Sequence, residues 1–148
     1  EQELTVTTVE SCTGGLLAGR LVNVPGVSEV FKQGFVTYSN KAKRKLVGVK
    51  KTTLKEFGAV SDRTAREMAK GAILMTGSDA AVAVTGIAGP DGGSEEKPVG
   101  LVYIAAAVRG QTYVQECHFT GDRAKIRESS VAAALTLLRR GILETAEG

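Results

Sequence analysis

The sequence predicts an α/β domain of three layers, with helices on both faces of a mixed, mostly parallel sheet. Three observations predict it. Short apolar and β-branched runs alternate with helix-length segments through the first two thirds of the chain, the pattern of parallel strands joined by crossover helices. Two further apolar runs then stand back to back around a turn, adding an antiparallel hairpin. The 148 residues, 43% of them hydrophobic, suit one domain (1–148) with a single sheet to cover.

Taken in order, Leu4 to Val9 (Leu-Thr-Val-Thr-Thr-Val) reads as the first strand. It breaks at Glu10-Ser11-Cys12-Thr13-Gly14-Gly15, and an apolar helix runs from Leu16 to about Val22 until Pro25-Gly26 ends it. Phe31 to Tyr38 is the second strand, and Ser39 or Asn40 caps a helix that continues through Lys43 to about Val47. Thr52 or Thr53 opens a short helix that stops near Gly58. Ser61 caps the next, in which Ala65, Met68, Ala69 and Ala72 recur at helical spacing. Ala80 to Thr85 is a strand suited to burial on both faces. The segment Gly86–Pro98, rich in glycine and acid, is a loop. Leu101–Val108 and Thr112–Phe119 form the hairpin around Arg109-Gly110, and a last helix runs from near Asp122 to about Glu144.

Composition excludes several classes of function. Nineteen Lys and Arg against 16 Asp and Glu leave a net charge of only +3, too small to imply nucleic acid. The local cluster Lys41, Lys43, Arg44, Lys45, Lys50 and Lys51 reads as a solvated helix face. No run approaches the length of a membrane span. Two cysteines, Cys12 and Cys117, make neither a disulfide framework nor a zinc pattern, and a single histidine, His118, argues against a His-based metal site. His118 is expected to be half-buried and structural. No export signal is visible, so the expectation is a cytoplasmic protein without metal or cofactor, although a chain beginning at Glu1 could be a fragment.

Four segments could carry chemistry. Glu10–Gly15 lies between a strand and a helix, where unpaired amides at Cys12, Thr13, Gly14 and Gly15 suit a phosphate or an oxyanion. Ser11 and Cys12 are both available there as nucleophiles. Lacking a nearby histidine, Ser11 calls for the alternative base, a lysine made neutral. Tyr38 to Lys43 supplies candidates, with Lys41, Arg44 and Lys45 close enough in sequence to help depress an amine. Thr85-Gly86-Ile87-Ala88-Gly89-Pro90, continuing to Lys97-Pro98-Val99-Gly100, follows a strand end where open α/β sheets bind ligands. Arg123 and Arg127, four apart, share a helix face and could clamp a phosphate or carboxylate.

Together with Gly34-Phe35-Val36-Thr37-Tyr38-Ser39-Asn40, Gly58-Ala59-Val60-Ser61 and Gly121-Asp122-Arg123, these stretches resemble, in order and spacing, the CinA C-terminal domain family. Its stand-alone members are nicotinamide mononucleotide (NMN) deamidases. The resemblance runs from about Leu4 to Glu144. It implies hydrolysis of the NMN carboxamide to nicotinic acid mononucleotide and ammonia by a Ser–Lys amidohydrolase, without a metal. Carried onto this chain it implies Ser11 as nucleophile, Lys43 as base and Tyr38 beside it to relay the proton or orient the amine. Thr85 and Gly86 would line the pocket, Arg123 or Arg127 would hold the phosphate, and a homodimer is implied. Lys41 departs from a position often acidic in the family. The alternative is a catalytically silent nucleotide-binding module of a larger protein. Nucleic-acid binding through the Lys41–Lys51 cluster ranks last.

Overall fold

The computed structural model describes residues 4–146. Five strands, β1 (Val6–Glu10), β2 (Phe31–Val36), β3 (Ala80–Gly86), β4 (Leu101–Val108) and β5 (Gln111–His118), form one sheet in the order β2-β1-β3-β4-β5. β1 pairs parallel with β2 and β3, whereas β4 runs antiparallel to both β3 and β5. Four strands therefore point one way and β4 alone runs against them, giving the mixed, mostly parallel sheet that the sequence predicts.

Side-chain alternation along β3 and β4 builds the three layers. Val82, Val84, Val102 and Ile104 face α1 (Leu16–Leu21) and α5 (Arg123–Ala146), packing with Leu17, Ile126, Val131 and Leu137. Ala81, Ala83, Ala105 and Ala107 face the other way, against Ala65, Met68, Ala69 and Ala72 of α4 (Asp62–Thr76). Alanine on both sides of that contact lets α4 lie close to the strands. α2 (Asn40–Val47) and α3 (Lys51–Phe57) complete this layer. Where α2 passes α4, a Cβ on Gly71 would run into the Val47 carbonyl, so only glycine permits the approach.

Local chemistry sets most boundaries. Ser39 and Ser61 are the N-caps of α2 and α4, accepting from Ala42 N at 3.0 Å and Thr64 N at 3.2 Å. Arg109 and Gly110, both at positive φ (49° and 81°), make the tight hairpin turn. α3 differs from the expectation. Lys50, not Thr52 or Thr53, precedes its first turn, and the cap comes from another helix. Glu67 of α4 accepts from Lys50 N at 2.9 Å and from the Thr53 hydroxyl at 2.6 Å. A single 3₁₀ turn, Val27–Glu29, also lies in what reads as loop.

Glu10, Val36 and Gly86 end their strands at the same edge of the sheet, and the chain leaves β1 for β2 on one side, then crosses from β2 to β3 on the other side of β1. The crevice beyond such a switch point is where open α/β sheets place ligands. Among the described residues no helix is long and apolar enough to cross a membrane.

Candidate active site

The turn after β1 is built by successive short bonds. Ser11 N donates to Val84 O at 3.0 Å, Gly14 N to Ser11 O at 3.0 Å and Leu16 N to Thr13 O at 3.0 Å. Gly14 and Gly15 sit at φ 56° and 103°, a left-handed pair that a Cβ would strain. The positive end of α1 does not stay open for a ligand, as the sequence suggests. Glu10, fully buried, turns its carboxylate onto it. Oε1 accepts from Gly15 N at 3.2 Å and Leu17 N at 2.8 Å, and Oε2 from Ala18 N at 3.0 Å. Of the expected oxyanion donors, Gly15 is thereby committed to Glu10, and Gly14 to the Ser11 carbonyl. The Cys12 and Thr13 amides are taken up by no carbonyl or carboxylate among the described residues.

Lys43 reaches this turn from the first turn of α2. Its Nζ lies 2.9 Å from Ser11 Oγ and donates to the Thr37 carbonyl at 2.7 Å, and the residue is only 2% exposed. Thr37 is itself held to the end of β1, its amide donating to Glu10 O at 2.7 Å. Burial pulls the Lys43 amine from 10.5 down to about 8, with the Cys12 thiol acting weakly the other way. The cationic neighbours play no part in that shift: Lys41, Arg44 and Lys45 stand exposed on the outer side of α2. The basic cluster is a solvated helix face with Lys43 as its buried exception.

Ser11 and Cys12 have different surroundings. The Cys12 side chain packs into the core beside Leu17 and is 5% exposed, and burial pushes its thiol from 9.0 up to about 11. It holds its proton at neutral pH and is a poor nucleophile there. Thr13 is buried too, its hydroxyl without a partner among the described residues.

A cleft of about 250 Å³ opens over Ser11, lined by Ser11, Cys12, Tyr38, Gly86, Asp91 and Arg123 together with Ile87–Gly89. Arg123 spans it, donating from Nη1 to Gly89 O at 2.7 Å and from Nη2 to the Tyr38 hydroxyl at 2.8 Å. No hydrogen bond joins Tyr38 to Lys43 among the described residues; the Thr37 carbonyl is what holds the amine. Thr85 lies behind the cleft, its buried hydroxyl donating to Ala59 O at 2.8 Å, so Gly86 alone of that pair reaches the lining. Arg127 is directed onto the nucleophile turn, Nε to Cys12 O at 3.1 Å and Nη2 to Thr13 O at 2.8 Å. The two arginines share a helix face but hold different partners.

Asp91 and Ile87–Gly89 are cleft residues that sequence reasoning did not single out individually; the long glycine-rich loop was the signal. Lys97, flagged in the same loop, instead donates to Phe57 O at the end of α3. His118 is exposed rather than half-buried, its Nε2 2.7 Å from Glu116 Oε2 on the edge strand β5. A larger hollow of about 530 Å³ lies between α2 and α4, and none of these polar groups lines it. Convergent chemistry, not volume, marks the smaller cleft as the site.

Comparison with known proteins agrees with this architecture. The CihA competence/damage inducible protein of Agrobacterium tumefaciens superposes with a TM-score of 0.92 at 51% identity, covering 93% of this chain and 85% of that one. A CinA superfamily protein of Klebsiella pneumoniae 700603 superposes with a TM-score of 0.92 at 37% identity, covering 96% and 89%. Among curated relatives, a protein of Clostridium novyi named as competence-damage inducible is 55% identical over 143 residues, 97% of this chain and 34% of that protein. A CinA-like protein of Kosmotoga olearia is 54% identical over 140 residues, 95% and 34%. The chain thus spans about a third of the length of the curated relatives it matches. The sequence profile of the CinA C-terminal domain matches residues 1–142, and the chain belongs to the CinA C-terminal domain family.

Proposed function

We propose that this domain is an amidohydrolase that converts NMN to nicotinic acid mononucleotide and ammonia. The observation that carries the reading is the buried Lys43 amine 2.9 Å from the Ser11 hydroxyl at the floor of a cleft. A lysine whose amine is neutral near pH 8 can take the proton of a serine, and desolvation supplies that neutrality here.

In the proposed reaction, Ser11 Oγ attacks the carboxamide carbon as its proton passes to Lys43 Nζ. The Cys12 amide, on the cleft lining, receives the negative charge that develops on the carbonyl oxygen, worth about 3 kcal/mol per donor in other enzymes. Collapse breaks the C–N bond, and the nitrogen leaves as ammonia with the proton from Lys43. Water then attacks the acyl-serine, giving a proton to Lys43, which returns it to Ser11 Oγ. Arg123, held by Tyr38 and Gly89, stands at the cleft rim as the group for the 5′-phosphate.

Ammonia release from NMN, nicotinamide riboside and nicotinamide, measured side by side for wild type and Ser11→Ala, tests the reading. Release from NMN that Ser11→Ala abolishes supports it; release at an unchanged rate removes Ser11. Stabilisation of the fold by NMN without release of ammonia would instead favour a nucleotide-binding module. The homodimer belongs to the same proposal and is read by sedimentation.

A further inference from the structure

We infer that Lys97 is a positioning residue that holds the loop wall of the cleft in place by tethering it to the end of α3. The inference deepens the amidohydrolase reading and rests on it for the effect on substrate.

The loop between β3 and β4 supplies Ile87, Ala88, Gly89, Asp91 and Gly92 to the cleft lining. Its base is closed by the backbone, with Ile87 N donating to Leu101 O at 3.0 Å and Gly100 N to Ile87 O at 2.8 Å. Arg123 holds it again at Gly89 O. Beyond that point residues 90–93 make no hydrogen bond among the described residues. Val99 packs behind them, so close that a Cβ on Gly89 or Gly93 would run into it. Such packing fills space but fixes no direction, and the stand of Asp91 and Gly92 is set at the two ends of the stretch.

The far end is the turn 94–97, closed by Lys97 N donating to Ser94 Oγ at 3.0 Å and Ser94 N to Lys97 O at 2.8 Å. From it the Lys97 ammonium crosses to the Phe57 carbonyl. Among the described residues this is the one hydrogen bond that joins 90–97 to the rest of the protein. Its landing point suits a cation. Phe57 is the last residue of α3, where carbonyls lack helical partners and the helix dipole is negative. Gly58 leaves the room, since a Cβ there would sit 2.9 Å from Nζ. The landing point is also firm. Gly58 O accepts from the Ser61 and Thr64 hydroxyls at 3.0 and 2.7 Å, and Ala59 O from the Thr85 hydroxyl at 2.8 Å. Thr85 leads straight into the loop, so Lys97 ties the far turn back to the strand end from which the loop departs.

Lys97→Met, Lys97→Arg and wild type are compared by amide hydrogen exchange and by steady-state hydrolysis. Lys97→Met is expected to speed exchange of the Ser94 amide by about 10-fold, the scale of one charge-assisted hydrogen bond, with the Gly100 amide at the loop base unchanged. KM should rise by about 10-fold for NMN and nicotinamide riboside alike, because the tether acts on the wall and not on the phosphate. The kcat should stay within about twofold. Lys97→Arg keeps a cationic donor and is expected to lie near wild type in both measurements. Ser94 exchange at the wild-type rate in Lys97→Met overturns the inference, as does equal acceleration at Gly100, the mark of a loosened fold. A rise in KM for NMN alone also overturns it, since Lys97 would then act through its charge on the phosphate. If wild type releases no ammonia from either compound, the substrate reading fails while the exchange ratio still decides Lys97.

Discussion

Lys43 Nζ is held between two oxygens from different elements, Ser11 Oγ at 2.9 Å and the Thr37 carbonyl at 2.7 Å. The carbonyl accepts whatever the protonation state, so the amine can lose a proton without losing its place. As the unprotonated amine is the proposed base, kcat/KM should rise with pH and level off above about 8, where burial sets the Lys43 equilibrium. Lys43→Met should lower kcat by about 100-fold or more and abolish that limb. A pH–rate profile from 6 to 10 measures both.

Stability should report the same burial with the opposite partner. Lys43 moves from 10.5 unfolded to about 8 folded, so between those values the unfolded chain binds more protons and stability rises with pH. Cys12 moves from 9.0 to about 11, so the folded chain binds more protons there and stability falls across that window. The two nearly oppose each other between 9.0 and 10.5. In Cys12→Ala the rise should therefore continue to about 10.5, and the pH dependence of the urea midpoint relative to wild type isolates it.

Glu10 should matter chiefly to folding. Three amides donate to its buried carboxylate, and Glu10→Ala strands them in the interior, costing about 3 kcal/mol or more. Glu10→Gln keeps one acceptor oxygen and should cost about half as much. Urea unfolding of the two variants against wild type gives the comparison.

Arg123 should separate binding from turnover. Arg123→Met is expected to raise KM for NMN by about 10- to 100-fold with little effect on nicotinamide riboside, the loss of a charge-assisted contact to phosphate. Tyr38→Phe removes only the hydroxyl that steadies Arg123 and should raise KM severalfold with the pH profile unmoved. A shifted profile in Tyr38→Phe would return the tyrosine to the proton path.

What could be read from sequence was what local chemistry decides. Ser39 and Ser61 announce their helices, Arg109-Gly110 its hairpin, and the apolar run from Ala80 to Thr85 a strand covered on both sides. The pairing of Ser11 with Lys43 was suggested by residue type and resemblance. The misses share a cause: each depends on a partner far along the chain or on depth. Glu67 caps α3 from another helix, and Thr85 binds Ala59 instead of the cleft. Glu10 caps α1 across a turn that offered no familiar spacing. The Lys43 shift comes from depth, which its charged sequence neighbours obscure, and His118 proved exposed because β5 is an edge strand.

Arg127 comes from the last helix, while the turn it holds follows β1, with Cys12 115 residues before it in sequence. A polypeptide that stopped before α5 would already contain the serine and the lysine, yet its nucleophile turn would lack the guanidinium that orders it. On the amidohydrolase reading, the site would therefore become competent only once α5 has docked against that turn.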